Sequence, residues 1–463
     1  MKPITLAQVR QVVSGKALTV IPPAAEVASI STDTRNMEPG AMFVAIRGQN
    51  MDGHEFLPQA AAKGAVAAMV EREPSVRLPN MHFIQVADAR QAMGRLATFV
   101  RCQMSAKVIG VGGSNGKTGT KNLIDSALCR RLKGSISPKS FNNDIGVPIT
   151  IFAADPSQDY LVLEMGTNHP GEIEVLTMMA RPDIAVITCC APEHLEGLKD
   201  LMGVRQEEAS IIHGLDPRGL LVVNGDDPHL VEAVSSYPGN KVTFGLNPAN
   251  DLYATDIRQT FRGVCFRLNG RREVFVPLLG RHNACNSLAA IAVARRLGLG
   301  EDEIVDALAV AHGPEMRLQL QNLHGINLLN DAYNANPSSM QAAIETLFEL
   351  DAPGRRIAIL GDMFELGESS ERYHREMGRF VAGLPLDLLI CVGAQARLIA
   401  EESLAGGFSP SRIIHCPDAP AAARIVPSEL RGGDLVLLKG SRGMRLERIA
   451  QAIGAGEMIR AAS

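Results

Sequence analysis

The stretch GVGGSNGKTGTKNL, residues 110–123, decides how the chain is read. It follows the β-branched run KVIGV (107–111) and leads into TKNLIDSALCRRL (120–132), where Leu123, Ile124, Ala127, Leu128 and Leu132 recur at helical spacing. A strand, a glycine loop and a helix in that order bring backbone N–H groups and a helix N-terminus around one anion. In that setting Lys117 reaches toward β and γ phosphates, and the Thr118 hydroxyl can ligate Mg²⁺. The spacing is unusual, because the common phosphate loop has a glycine five residues before the glycine of GKT and here that position is Val111. A chance GKT in a plain strand-to-helix turn is the competing reading. The flanking strand and amphipathic helix favour phosphate binding.

Outward from the loop, flat apolar runs follow at YLVLEMG (160–166), DIAVITCC (183–190) and GLLVVNGDD (219–227), separated by helix-length stretches. Near-continuous apolar strands mark a parallel sheet covered on both faces. A second alternation begins near residue 313, with INLLNDAY, RRIAILGD, LDLLICVG, SRIIHCPD and DLVLLKG, in the doubly wound style. Before residue 104 lie short segments around SISTDTRNMEPGAMFVAIRGQNMDGHEF, an Ala-rich helix predicted at LPQAAAKGAVAAM (57–69), and HFIQVAD. The expected fold class is α/β in three domains: a small N-terminal module (1–103), a central phosphate-loop domain with a mainly parallel sheet (104–313), and a C-terminal Rossmann-like domain (314–463).

Composition narrows the function classes. At 463 residues the chain exceeds a single hydrophobic core. A net charge of −4 offers no general attraction to nucleic acid. No apolar run reaches the roughly 20 residues a membrane span needs, and the charged, apolar-alternating start (MKPITLAQVRQVVSGKAL) reads as a surface helix and not a signal peptide. The eight cysteines form no CxxC pair and mostly lie in apolar runs, which predicts reduced core thiols in a cytoplasmic protein.

Two further residues attract attention. Glu164 closes an apolar strand at a glycine turn, and ligands of open parallel sheets bind off those carboxyl ends. His194 follows the next strand, so a glutamate and a histidine at the tips of adjacent strands beside the loop read as a site for a second metal ion. Taken singly, each has an ordinary reading as a solvated or packed side chain.

The motifs in order resemble the Mur ligases, the ATP-dependent amide-forming family of bacterial cell-wall synthesis. GSNGKT (113–118) fits that family's shorter G-x-x-G-K-[ST] loop, which accounts for Val111. The likeness continues through NNDIGVP (142–148), LEMG (163–166), HLEG (194–197), GRHNACN (280–286), RLQ (317–319), NDAYNANPSSM (330–340), DMFELG (362–367) and KGSR (439–442). YNANP with DMFELG resembles the branch that adds D-alanyl-D-alanine to UDP-N-acetylmuramoyl-tripeptide; the D-N-P-R element of the branch adding a single diamino acid is not found in the sequence. STDTR, GAMFVAIRG and DGHEF resemble the UDP-sugar module, which places Ser31 and Thr32 on the substrate.

The resemblance implies a cytoplasmic, monomeric enzyme of peptidoglycan precursor synthesis that uses ATP and Mg²⁺, with no nucleic-acid partner and no membrane insertion. A substrate carboxylate takes the γ-phosphoryl group of ATP, and the dipeptide amine displaces phosphate from the acyl phosphate. The same resemblance gives nucleotide contacts to Gly113, Ser114, Asn115, Gly116, Lys117, Thr118, Gly119, His282, Asn283, Arg317 and Asp331. Catalysis falls to Lys117, Glu164, His194, Glu208 and Arg317, and metal ligation to Thr118, Glu164 and His194. Substrate contacts fall to Asn142, Asn143, Asn334, Asn336, Lys439, Ser441 and Arg442. Asn286 has an alternative reading as a bond within its helix, and Arg442 as a surface partner of Glu447.

One departure stands out. The family carries a carbamylated lysine after HLEG, whereas LMGVRQEEASIIHGL (201–215) has no lysine and Glu208 falls at its place. A glutamate offers a permanently charged carboxylate close to what a carbamate presents to Mg²⁺. The alternatives are a Mur ligase adding a single amino acid, a weakened paralogue, and a nucleotide-dependent switch. The switch is disfavoured because NGDDP (224–228) is the nearest string to a guanine-binding N-K-x-D.

Overall fold

The computed structural model describes residues 1–455 apart from 49 and 77. The loop strand, Lys107–Gly112, lies inside a nine-stranded sheet, between Tyr160–Glu164 on one side and Ile184–Ile187 on the other, all parallel. These strands alternate between two cores. Val108, Leu161, Leu163, Ala185 and Ile187 point to one face. Ile109, Val111, Val162 and Val186 point to the other, where helices Lys117–Leu128 and His282–Arg296 cover them with Leu123, Ile124, Leu288 and Ile291. Apolar side chains on both faces are what made these runs read as continuous strands.

The sheet continues through Leu220–Asn224, Asn240–Gly245 and Leu252–Thr260, then turns antiparallel in Gly263–Leu268 and Arg272–Val276. That antiparallel extension is not in the sequence reading, because alternating polar residues such as Thr255, Arg258 and Arg267 leave it without a flat apolar run. The C-terminal sheet has six strands in the order Gln319–Leu323, Ile326–Asp331, Leu435–Lys439, Arg356–Gly361, Leu388–Val392, Ile413–Cys416. All but the first run parallel. The N-terminal part forms a five-stranded sheet whose helix Ala89–Arg101 buries Met93, Leu96, Ala97 and Val100 in the same apolar cluster as Leu161, Leu163 and Met179. Among the described residues no helix is long and apolar enough to cross a membrane.

Three expectations are corrected. The Ala-rich segment 57–69 is not one helix: Leu57–Ala62 is helical, and Ala67–Val70 is a fully buried parallel strand. Gly64 separates them in a left-handed conformation, φ +86°. Glu164 and His194 do not follow adjacent strands, since the loop strand lies between theirs. All eight cysteines are free, but only Cys391 and Cys416 are buried, with Cys102 and Cys129 exposed.

A Cβ at Gly64 would lie 3.2 Å from that of Pro39 in a backbone region that penalises L side chains. Gly64→Ala is therefore expected to lower unfolding free energy by about 1–2 kcal/mol, read from urea denaturation with an unchanged m value.

Candidate functional site

The irregular glycine spacing has a steric cause. Gly113 and Gly116 adopt φ +117° and +84°. A Cβ at Gly113 would meet Thr188 Oγ1 at 2.1 Å, and one at Gly116 would meet Asn286 Oδ1 at 2.6 Å. Val111 lies two residues before Gly113, inside the strand with its side chain in the core, where no glycine is required. The loop is pinned beneath by the Ser114 N–H, which donates to the Cys189 carbonyl at 2.7 Å, and by Ser114 Oγ, which accepts from the Ala191 N–H at 2.9 Å.

Lys117 opens the helix and folds back onto the loop, donating to the Gly113 carbonyl and to that of Ser114 at 3.3 Å. Glu193 Oε1 lies 3.7 Å from its Nζ. Burial alone depresses its basicity, but Glu193, Glu208 and Glu164 together outweigh that, so its pKa is raised. Glu164 is buried, and Oε2 accepts from Thr118 Oγ1 at 3.0 Å and pairs with Lys121 Nζ at 3.0 Å. Its Oε1 accepts from Asn142 Nδ2 at 3.1 Å.

Two oxygens of an octahedral Mg²⁺ shell, each about 2.1 Å from the ion, lie about 3 Å apart. The Thr118–Glu164 pair has that separation and the hard oxygen donors Mg²⁺ selects, so these residues fit a first ion. The set for a second ion is not assembled. His194 pairs through Nδ1 with Glu365 and faces Glu193 Oε2 at 3.9 Å through Nε2. Among the described residues no group of three or more His, Cys, Asp and Glu is arranged to hold a metal ion. Burial lowers the His194 pKa, yet the bond to Glu365 and then the charge of Glu193 override it and the net shift is upward.

Glu208 sits under the loop. Its Oε2 accepts the Gly113 N–H at 2.6 Å, while Oε1 has no partner. It is not the permanently charged group expected: burial, only partly offset by Lys117, pushes its carboxyl up to about 7. Its neighbour Glu207 accepts the N–H groups of Gly171 at 2.7 Å and Ile173 at 2.8 Å and so anchors a helix start.

The C-terminal part closes over this loop. Asn336 Nδ2 donates to Asn115 Oδ1 at 2.9 Å, Asn115 Nδ2 donates to Ser338 Oγ at 3.0 Å, and Tyr333 bonds Ser140. Asp331 accepts from Lys439 Nζ at 2.6 Å, and Lys439 also donates to the Asn334 carbonyl at 2.9 Å. Arg317 stacks 4.3 Å over the Tyr333 ring. Between these walls lies a cavity of about 1060 Å³ lined by the loop from Ser114, by Asn142, Glu164, Glu193 and His194, and by His282, Arg317, Asp331, Asn334, Asn336 and Lys439. Arg90 reaches it from the N-terminal part. A single small-molecule site takes about 300–1,000 Å³, so this space is at the large end for one ligand.

Several expected site residues do other things here. Asn143 lines the cavity, and its Oδ1 also caps a helix by accepting the Gly146 N–H at 2.9 Å. Asn283 and Asn286 line the cavity but bond each other at 3.0 Å, the alternative already weighed for Asn286. Ser31, Thr32, Ser441 and Arg442 are not among its lining residues. Ser31 Oγ donates to the Asp33 carbonyl in a local turn. Ser441 accepts the Phe364 N–H at 2.8 Å, and Arg442 pairs with Glu447 at 3.4 Å. Sequence reading missed Glu193, Lys121, Tyr333, Ser338 and Glu365. Lys121 had one available signal, its place a helical turn after Lys117.

Residues 111–294 match the Mur ligase middle domain, 316–442 the Mur ligase glutamate ligase domain, and 26–101 the Mur ligase family catalytic domain. The chain is 35% identical to the UDP-N-acetylmuramoyl-tripeptide–D-alanyl-D-alanine ligase of Escherichia coli (strain K12), over 97% of this chain and 98% of that one. It belongs to the Mur ligase family. The ligase of the same name from Bacillus subtilis (strain 168) is also 35% identical, over 91% of this chain and 92% of that one. A crystal structure of MurF from Acinetobacter baumannii superimposes with a TM-score of 0.87 at 31% identity, covering 98% of this chain and 99% of that chain. MurF ligase from Thermotoga maritima in complex with ADP gives 0.82 at 27% identity, over 93% and 98%.

A buried carboxyl raised from 4.5 to about 7 keeps its proton in the folded state where the unfolded chain has lost it. Its contribution to stability is present below 4.5 and lost as pH rises through 7. Glu208→Gln, which retains an acceptor for Gly113, is expected to unfold at a higher temperature than the native protein at alkaline pH. Calorimetry across that window should show the gap closing on acidification; a pH-independent gap would refute the assignment.

Proposed function

We propose that this Mur ligase joins D-alanyl-D-alanine to UDP-N-acetylmuramoyl-tripeptide at the expense of ATP, through an acyl phosphate. The observation that carries the reading is the cavity itself, in which the phosphate loop, Glu164 and the C-terminal residues Arg317, Asp331 and Asn336 line one large space. The relatives bearing that activity in their names span nearly the whole chain, which supports the choice of branch. We place the domain boundaries near residues 103 and 313, in the gaps between the three family matches.

In this reading the loop N–H groups and the helix start at Lys117 receive the phosphates of ATP. Lys117 leaves the loop carbonyls and follows the transferring phosphoryl group, offsetting charge as the substrate carboxylate attacks. Thr118 and Glu164 would hold Mg²⁺, which would supply Lewis-acid neutralisation of the phosphate oxygens. Arg317, fixed on the Tyr333 ring, faces the same space from the opposite wall. Asp331, clamped by Lys439, orients the nucleotide, and Asn334 and Asn336 stand where the incoming dipeptide enters. His194 acts by holding Glu365 and Glu193 in place. Glu208 occupies the place of the carbamylated lysine and acts on the loop through Gly113.

Phosphate release is expected to require ATP, Mg²⁺, the UDP-tripeptide and D-alanyl-D-alanine together. Preference for a single diamino acid would overturn the branch, and release without either peptide substrate would favour a switch. Lys117→Met is expected to lower kcat by about 10²–10³-fold. Because the carboxylate at Glu208 is genetically encoded, activity in CO₂-free buffer should match that with added bicarbonate; strong stimulation would argue against the substitution of roles.

A further inference from the structure

Lys121 is the largest charged side chain sealed inside the protein next to the loop, with 1% of its surface exposed. An ammonium has three donors, and all three are used. Nζ donates to the Ser137 carbonyl at 2.8 Å and the Lys139 carbonyl at 2.6 Å, and it lies 3.0 Å from Glu164 Oε2. The oxygen it touches is the one that Thr118 also reaches, the oxygen that would face a first metal ion. Ser137 closes the arrangement, since its Oγ accepts no load from Lys121 but receives the Glu164 N–H at 3.1 Å. The segment so fixed runs on to Ser140, which meets Tyr333, and Asn142, which holds the second oxygen of Glu164.

The charges decide what this does. A buried carboxylate beside a phosphate-loop anion costs free energy unless it is paired. Lys121 pairs it and so fixes the orientation of Glu164. The same ammonium repels a divalent cation approaching Oε2. The phosphate charge of a nucleotide restores the attraction, so the ion is favoured only together with ATP.

We propose that Lys121 is a positioning residue that presents Glu164 to the metal ion of a bound nucleotide and disfavours a metal ion arriving alone. This rests on the assignment of Thr118 and Glu164 as ligands. Metal uptake is thereby coupled to nucleotide uptake by a side chain that touches neither the nucleotide nor the substrates.

The test is Mn²⁺ binding, followed by electron paramagnetic resonance of the free ion, with and without ADP. In Lys121→Met, affinity without ADP should rise at least about tenfold, since a like charge within a few ångströms costs more than that at the effective dielectric of a protein site. The gain should vanish in Lys121→Met combined with Glu164→Gln. Lys121→Arg, which keeps the charge, should show no gain, and a gain as large as that of the methionine variant would overturn the proposal. An unchanged ADP-free affinity in a folded Lys121→Met would overturn it too. Should that variant not fold, Lys121→Gln keeps a donor for one carbonyl without the charge, and the same outcomes apply. If Glu164→Gln alone leaves Mn²⁺ binding with ADP untouched, the ligand assignment fails instead, which the single variants distinguish.

Discussion

The fold turns on a backbone that leaves no room for side chains. At Gly113 the loop runs against Thr188 and Cys189, and at Gly116 against Asn286, both at separations no Cβ tolerates. The strand before it is fixed by parallel neighbours on both sides, and the helix after it by Leu123, Ile124 and Leu128 in the core. The loop therefore cannot be displaced without breaking the sheet or unseating the helix. This rigidity fixes the direction of the loop's remaining backbone N–H groups, those of Gly113 and Ser114 being already spent on Glu208 and the Cys189 carbonyl.

A cradle built for anions is lined, paradoxically, by buried carboxylates. Glu164, Glu193 and Glu208 are each at most 6% exposed. Each is matched differently. Glu164 has Lys121, Thr118 and Asn142; Glu193 has Lys117; Glu208 has one backbone N–H and a carboxyl pushed up to about 7. Lys117 is thus already engaged, by loop carbonyls and by Glu193. Phosphate must compete with these partners for the lysine. The competition is winnable because phosphates carry more charge than a single carboxylate, and the N–H groups beside Lys117 add to their side.

Legibility in the sequence followed the physics of each feature. The parallel strands were readable because both faces are apolar, and the loop because its glycines are obligatory. The Ala-rich run at 57–69 was misread because alanine fits a helix and a tightly packed strand alike, and only the backbone turn at Gly64 separates them. The quoted motifs located the cavity, but not which side chain faces it. Ser441 carries a motif position yet lies off the cavity and spends its hydroxyl on a loop tie, whereas Asn143 lines the cavity and also caps a helix. Lys121 and Glu193 escaped notice because their roles arise from convergence. The carbonyls that hold Lys121 lie 16 and 18 residues away, and Glu193 meets Asn336 across 143 residues.

That last contact explains why the chemistry needs the whole chain. Asn336 caps the helix Pro337–Glu349 by accepting the Ser339 N–H and at the same time donates a hydrogen bond to Asn115 Oδ1 in the phosphate loop. Leu195 and Leu198, which follow the His194 turn, are buried in the C-terminal core with Met363 and Leu366. Polar and apolar contacts thus join the two parts around one space. An acyl phosphate is hydrolysed if water reaches it before the amine does. A wall supplied by a separate sheet can shut water out while its own residues, Asn334 and Asn336, line the space the amine must enter. In the proposed function the dipeptide meets this same wall, and the Asn115–Asn336 pair joins the wall to the phosphate loop.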